Sequence, residues 1–147
     1  MFRGFNAIYN QALQVRPGTE DAADLLSYCA MAYEFIQNHH DMEETVYFPG
    51  IEKAANEPGL MSGNREQHRG LEKGLQKFRK YAEETSKDAY DAQELRSIID
   101  ELVEPIGIHL REEISTILDL HDKMDSKSLE AVYIAMEQEA RKANLEK

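Results

Sequence analysis

The stretch LLSYCAMAYEFIQNHHDMEETVYFP, residues 25–49, contains the periodicity that decides the fold. One residue in every three or four forms a stripe that is first apolar and then polar: Leu25, Cys29, Ala32, Ile36, His39, Glu43 and Val46. Steps of three and four match the turn of an α-helix, so the stripe predicts a helix with one inward face. His40 and Glu44 are rotated about 100° from it, and we expect them to form a solvated or supporting pair.

Two later segments repeat this arrangement. The stripe of the third predicted helix consists of Met61, Asn64, His68, Leu71, Leu75, Phe78 and Ala82. That of the fourth consists of Leu102, Ile106, His109, Glu113, Thr116 and Leu120, and Glu112 points away from this line. A glutamate follows each histidine by four residues, as in His68 with Glu72 and His109 with Glu113. Residues four apart share a helix face, so each pair could present two ligands to one point.

The polar residues on these stripes indicate a metal site. Burying a carboxylate or an unpaired imidazole among aliphatic side chains is costly unless something compensates, and one central cation would compensate several such groups together. A single pair of this kind is more often an ordinary surface pair, but three pairs on three helices favour the metal site. Glu72 is the weakest member, because it lies beside its stripe and could be a solvated acid.

Glycine and proline are few, and the intervals between them have helical periodicity, which predicts an all-α fold. Helices are predicted over residues 2–15, 20–47, 61–84 and 92–121. A break at Phe48-Pro49-Gly50 precedes a short turn at 51–55, and a charged fifth helix runs from 125–128 to the end.

Composition excludes several classes of partner. With 28 acidic and 17 basic residues among 147, the net charge of −11 disfavours nucleic acid and anionic membranes. The chain has neither the roughly 20 consecutive apolar residues of a membrane helix nor a secretory leader, so we expect a cytoplasmic protein. Cys29, the single cysteine, lies on an apolar stripe and is expected in the core rather than as a nucleophile.

Three segments together resemble the hemerythrin-like, or HHE cation-binding, domains. They are HHDMEETVYFP at 39–49, EQHRGLEKGLQKF at 66–78 and EPIGIHLREEISTIL at 104–118, supported by RGFNAIY at 3–9. The resemblance implies an up-down-up-down four-helix bundle over residues 1–121, with 122–147 as a charged C-terminal extension. It also implies two bridged irons inside the bundle.

The resemblance also implies the ligands of those irons. His39, His68 and His109 would be terminal ligands, and Glu43 and Glu113 would be bridging carboxylates. Two positions depart from the family pattern: the usual first-helix histidine would fall just upstream of Met1, and Glu72 stands where a second histidine of the third helix is common. Either Glu72 serves as the sixth ligand, or the iron occupancy is incomplete.

The leading functional hypothesis is a non-haem iron protein that binds dioxygen or a related diatomic molecule, or that handles iron, rather than an enzyme with catalytic side chains. One alternative is a di-iron oxidase or peroxidase. Another is a metal-free helical interaction module, whose last helix would dock a partner or a second copy through Leu129, Val132, Tyr133 and Met136. Packing of this helix on its own bundle is the more ordinary expectation.

Overall fold

A computed structural model of the chain describes residues 2–145, and throughout this range the secondary structure is helical, with no strand. The α-helices are α1 (Phe2–Ala12), α2 (Glu20–Met42), α3 (Phe48–Ala55), α4 (Ser62–Glu84), α5 (Ala92–Asp119) and α6 (Ser126–Leu145). A π-helical segment, Glu43–Tyr47, joins α2 to α3, and short 3₁₀ turns cover Lys87–Ala89 and Leu120–Asp122. The predicted all-α fold with an additional C-terminal helix is therefore confirmed.

The predicted break at Phe48-Pro49-Gly50 is wrong. The chain continues from α2 through the π-helical segment into α3, and Pro49 lies in the first turn of α3. Pro49 has no backbone N–H to donate, and it directly follows Phe48, whose N–H donates to the Glu43 carbonyl, so the missing donor falls where π-helical bonding gives way to α-helical bonding. The helical path ends instead at Asn56, which adopts a left-handed conformation with φ of 52°.

The other limits of the first four predicted helices differ from the structure by at most three residues, the largest difference being at Ala12, where α1 ends. Among the described residues, no helix combines the length and apolar character that crossing a bilayer requires.

The described residues divide into two compact units, and α2, α4 and α5 contribute residues to both. The first unit consists of Met1–Gln37 and Gly70–Gly107. Each of its four helical parts contributes to a buried core that includes Ile8, Cys29, Phe78, Leu95 and Leu102. Phe5 and Phe78 meet edge-on with ring centroids 5.3 Å apart, and the Tyr90 hydroxyl donates to the Ala12 carbonyl at 2.7 Å. Cys29 is fully buried, as predicted.

The second unit consists of Asn38–Arg69 and Ile108–Lys147. Its apolar core is formed by Tyr47, Phe48, Ile51, Met61 and Leu120. Three side chains of α6 pack against this core: Leu129, Val132 and Met136. Helix α6 therefore packs on its own unit, which was the more ordinary of the two expectations for it.

Candidate metal centre

Four side chains of the second unit bring their ligating atoms together in the interior. His40 comes from the end of α2, Glu43 from the π-helical segment, His68 from α4 and His109 from α5. All four are buried, and one nitrogen or oxygen of each lies within 4.8 Å of the others. The ring of His68 stacks on that of His40 at a centroid distance of 4.0 Å and meets that of His109 edge-on at 4.7 Å. Three imidazoles and one carboxylate thus converge on one point.

His40 is the buried member of the adjacent histidine pair, with 5% of its surface exposed, whereas the side chain of His39 is 37% exposed. The solvated alternative predicted for His40 is therefore wrong, whereas the supporting alternative stays a prediction. The buried stripe of this part of the chain consists of Ala22, Leu26, Cys29, Tyr33, Ile36, His40, Glu43 and Tyr47. Its steps also alternate between four and three residues. After Ile36, however, the observed stripe continues four residues on, at His40, whereas the predicted stripe continues three residues on, at His39. The sequence signal for the observed stripe is that it places the larger apolar side chain of Tyr33 in the interior, where the predicted stripe places only Ala32.

The two carboxylates predicted as bridges are buried beside the imidazoles. Glu43 places Oε1 at 3.0 Å from His39 Nε2 and Oε2 at 3.4 Å from His68 Nε2. Glu113 places Oε2 at 3.5 Å from His109 Nε2. The structure thus brings together the predicted residues Glu43, His68, His109 and Glu113. His39 touches the cluster through Glu43, and its role as a ligand stays a prediction.

The π-helical segment begins at Glu43 and carries two acidic residues at its start. The wider turn of a π-helix reduces the rotation between consecutive side chains. Glu43 and Glu44 accordingly approach the two nitrogens of one imidazole, because Glu44 Oε1 lies 2.8 Å from His68 Nδ1. Nothing in the residue types of this segment distinguishes a π-helix from an α-helix, so sequence reasoning missed it.

Further side chains hold the outer edges of the imidazoles. The ring of Phe48 stacks against His68 with centroids 5.5 Å apart. Gln67 Oε1 lies 3.2 Å from His109 Nδ1, and the Gln67 amide donates to Glu112 Oε2. Sequence reasoning did not identify Gln67 as a site residue, because an amide next to a histidine has no distinctive spacing.

Burial controls the protonation of two of the imidazoles. Desolvation, together with the neighbouring charge of His68, lowers the pKa of His40 to about 3 and that of His109 to about 4. Burial also acts to lower the pKa of His68, but the carboxylates of Glu43 and Glu44 outweigh it and raise that pKa. His40 and His109 are therefore neutral near pH 7, which is the form that binds a metal.

The two buried carboxylates have opposite pKa shifts. Burial and the neighbouring charge of Glu43 raise the pKa of Glu113 to about 7. Burial also acts to raise the pKa of Glu43, but the adjacent imidazoles of His39 and His68 outweigh it and hold this pKa below its usual range. Two carboxylates this close repel each other when both are charged, and a cation removes that repulsion.

The cluster fits a cation, because its inward atoms lack other partners. Among the described residues, four of its buried atoms have no hydrogen-bond partner: His40 Nε2, Glu43 Oε2, His68 Nε2 and His109 Nε2. Leaving such an atom unsatisfied costs roughly 1–3 kcal/mol. Imidazole nitrogen and carboxylate oxygen are ligands that suit iron and other first-row transition metals. One bound ion would satisfy all four atoms at once.

Glu72, the sixth predicted ligand, is exposed to solvent on α4. This exposure agrees with the alternative that it is a solvated acid of the helix surface. Its role as a ligand stays a prediction.

Comparison with known proteins agrees with a cation site. The family model described as the hemerythrin HHE cation binding domain matches residues 1–120. A curated relative, "Dimeric xanthone biosynthesis cluster protein R11" of Cryptosporiopsis sp. (strain 8999), is 34% identical over 136 residues. These residues are 92% of this chain and 51% of the relative, so the chain spans about half the length of that protein. No solved structure matches.

Proposed function

Since this chain belongs to the hemerythrin HHE cation-binding family, we propose that its buried cluster is a non-haem iron site. His40, His68 and His109 would hold one ion through Nε2, together with Glu43. His39 contacts Glu43 and Glu113 contacts His109, so these two residues would be the candidate ligands of a second ion beside the first. The observation that carries the proposal is the convergence of four buried ligating atoms without other partners.

The proposed role of the iron is to bind dioxygen or a related diatomic molecule. Iron held by His40, Glu43, His68 and His109 would supply open coordination positions and the electrons for reversible binding of such a ligand. The protein's own contribution is to bury the site and orient its imidazoles. Phe48 covers one face of His68, and His109 is fully buried. Both features limit the access of water to the metal.

Reconstitution with Fe(II) under anaerobic conditions tests the proposal. We expect the wild-type protein to retain iron and to change its absorption spectrum on admission of air. His109→Ala should lose most of the iron, whereas His121→Ala should retain it, because the His121 side chain is 76% exposed. A wild-type protein without iron, or equal retention in both variants, would overturn the iron site. Retained iron without a spectral change would overturn only the role in dioxygen binding.

A second candidate is an oxidative enzyme, which the name of the xanthone biosynthesis cluster relative favours. The same iron site would then activate dioxygen for a substrate oxidation, such as that of a phenol. Oxygen consumption by the iron-loaded protein with a reductant and a simple phenol separates the two candidates. Many turnovers per iron indicate an enzyme, and a single stoichiometric uptake indicates a binding protein.

A further inference from the structure

We infer that Gln67, itself held by Glu112, is a positioning residue that selects the tautomer of His109 and leaves its Nε2 free for the metal. The inference deepens the proposed function and rests on it for the identity of the ion. The arrangement of hydrogen atoms that it assigns is a property of the protein without metal.

Two contacts in the second unit carry the inference. His109 Nδ1 lies 3.2 Å from Gln67 Oε1, and the Gln67 amide nitrogen donates to Glu112 Oε2. Glu112 follows His109 by three residues on α5, so the two side chains lie on neighbouring positions of one helix face. Gln67, on α4, bridges them.

The chemistry of the three groups allows one arrangement of hydrogen atoms. An ionised carboxylate only accepts hydrogen bonds, so Glu112 requires the NH₂ group of Gln67 to face it. The carbonyl oxygen of the amide must then face the imidazole. A carbonyl oxygen also only accepts, so His109 must carry its proton on Nδ1. The exposed Glu112 thus determines, through Gln67, where a fully buried histidine holds its proton.

This tautomer matters because the other imidazole nitrogen faces the cluster. His109 Nε2 is one of the four buried atoms without a hydrogen-bond partner among the described residues. With the proton on Nδ1, Nε2 presents a lone pair to a cation. With the proton on Nε2, the same atom could not bind a metal until the ring lost or moved that proton.

Nitrogen NMR of the metal-free protein tests the tautomer directly. Long-range ¹H–¹⁵N correlation spectra distinguish the protonated from the bare ring nitrogen of a neutral histidine. We expect wild-type His109 to carry its proton on Nδ1, and Gln67→Leu to populate the Nε2–H form. Glu112→Ala should do so to a smaller extent. An Nε2–H tautomer in the wild type, or an unchanged tautomer in Gln67→Leu, would overturn the inference. Circular dichroism would establish that each variant folds.

Metal affinity supplies the second readout, with Co(II) as the probe. Losing a supporting hydrogen bond to a ligand typically costs about 10–100-fold in affinity, which we expect for Gln67→Leu. Glu112→Ala should weaken binding less, and should add nothing in the Gln67→Leu background because Glu112 acts through Gln67. Asp119→Ala, which removes an exposed acid from the same helix, is the matched control for charge.

The outcomes separate the positioning role from a purely electrostatic one. If Glu112→Ala weakens Co(II) binding equally with and without Gln67, or if Asp119→Ala weakens it as much, Glu112 acts by its charge and the inference that it acts through Gln67 is overturned. If the wild-type protein binds no metal, the proposed function fails, and the NMR spectrum of the metal-free protein still decides the tautomer.

Discussion

His40 shows how one residue's burial changes the assignment of ligands. Its ring lies 4.0 Å from that of His68 and 5.4 Å from that of His109, measured between centroids. Its neighbour His39 is the more exposed of the two, with 37% of its side-chain surface accessible, and contacts Glu43 instead. Of these two consecutive histidines, His40 therefore packs against the other imidazoles of the cluster, whereas His39 contacts the Glu43 carboxylate.

We predict that His40→Ala removes more iron than His39→Ala, because His40 Nε2 is one of the four unpartnered atoms of the cluster. His40→Ala should leave the protein with less than half of the wild-type iron, an expectation that follows from losing one of four ligands. Metal analysis of both variants after identical reconstitution provides the measurement. A larger loss of iron in His39→Ala would mean that His39, and not His40, is the histidine of this pair that binds the iron.

Cys29 gives a prediction on pH. Burial raises the pKa of its thiol from the ordinary value of 9.0 to about 12. Between these values the unfolded chain loses the thiol proton while the folded protein keeps it, so deprotonation favours unfolding. The thiol should therefore reduce the free energy of unfolding by roughly 1.4 kcal/mol per pH unit above pH 9, with no effect below it.

Urea unfolding at about pH 8 and pH 10 measures this effect. The wild type should lose more stability between the two pH values than Cys29→Ala, which lacks the thiol, and comparing the two pH dependences cancels the contributions of tyrosines and lysines. Equal pH dependence of both proteins would show that the thiol ionises normally in the folded state.

At the scale of elements, helix existence was predictable from sequence, and helix phase was predictable for α4 and α5 but not for α2. The stripes of α4 and α5 place His68, His109 and Glu113 correctly, because each sequence offers one apolar phase. In α2 the residue pairs Ala32-Tyr33 and His39-His40 support two phases, and only tertiary packing selects between them. The Pro49-Gly50 pair predicts a break by its residue types, but both residues fit inside the helical path.

Gly50 has a packing role in α3 that yields a further prediction. A Cβ atom added there would lie 2.7 Å from Cγ1 of Val132 on α6, closer than real Cβ contacts. The β-branched side chain of valine cannot turn away freely, so α6 would have to shift. Gly50→Ala should therefore destabilise the protein by about 1–3 kcal/mol.

Chemical unfolding of matched variants tests this contact. Gly70→Ala is the control, because a Cβ added at this position within α4 meets nothing within 4 Å, and it should stabilise by roughly 0.5–1 kcal/mol. In the Gly50→Ala background, Val132→Ala should recover part of the loss by making room for the new methyl group. A stabilised Gly50→Ala would mean that α6 does not pack on α3 at this point.

At the scale of the whole molecule, the site and the apolar core of the second unit adjoin each other and share the π-helical segment. Phe48 belongs to that core and stacks on His68, while Tyr47 lies in the π-helical segment that begins with Glu43. The first unit, in contrast, contains apolar helix stripes and the buried Cys29. A metal bound in the second unit should therefore act most strongly on the helices of that unit.

We predict that metal loading raises the melting temperature and slows amide hydrogen exchange, with the largest gain in residues 38–69 and 108–119. A ligand that binds only the folded state stabilises it by mass action, by about 2.7 kcal/mol at a hundredfold excess over Kd. Local openings of the ligand-bearing helices release the metal, so those openings become rarer than openings elsewhere. Hydrogen exchange with mass spectrometry on metal-free and Fe(II)-loaded protein measures this, with His109→Ala as the control that should gain nothing. If metal loading slows exchange over residues 70–107 as much as over residues 38–69 and 108–119, or if the gain persists in His109→Ala, the metal binds outside the cluster.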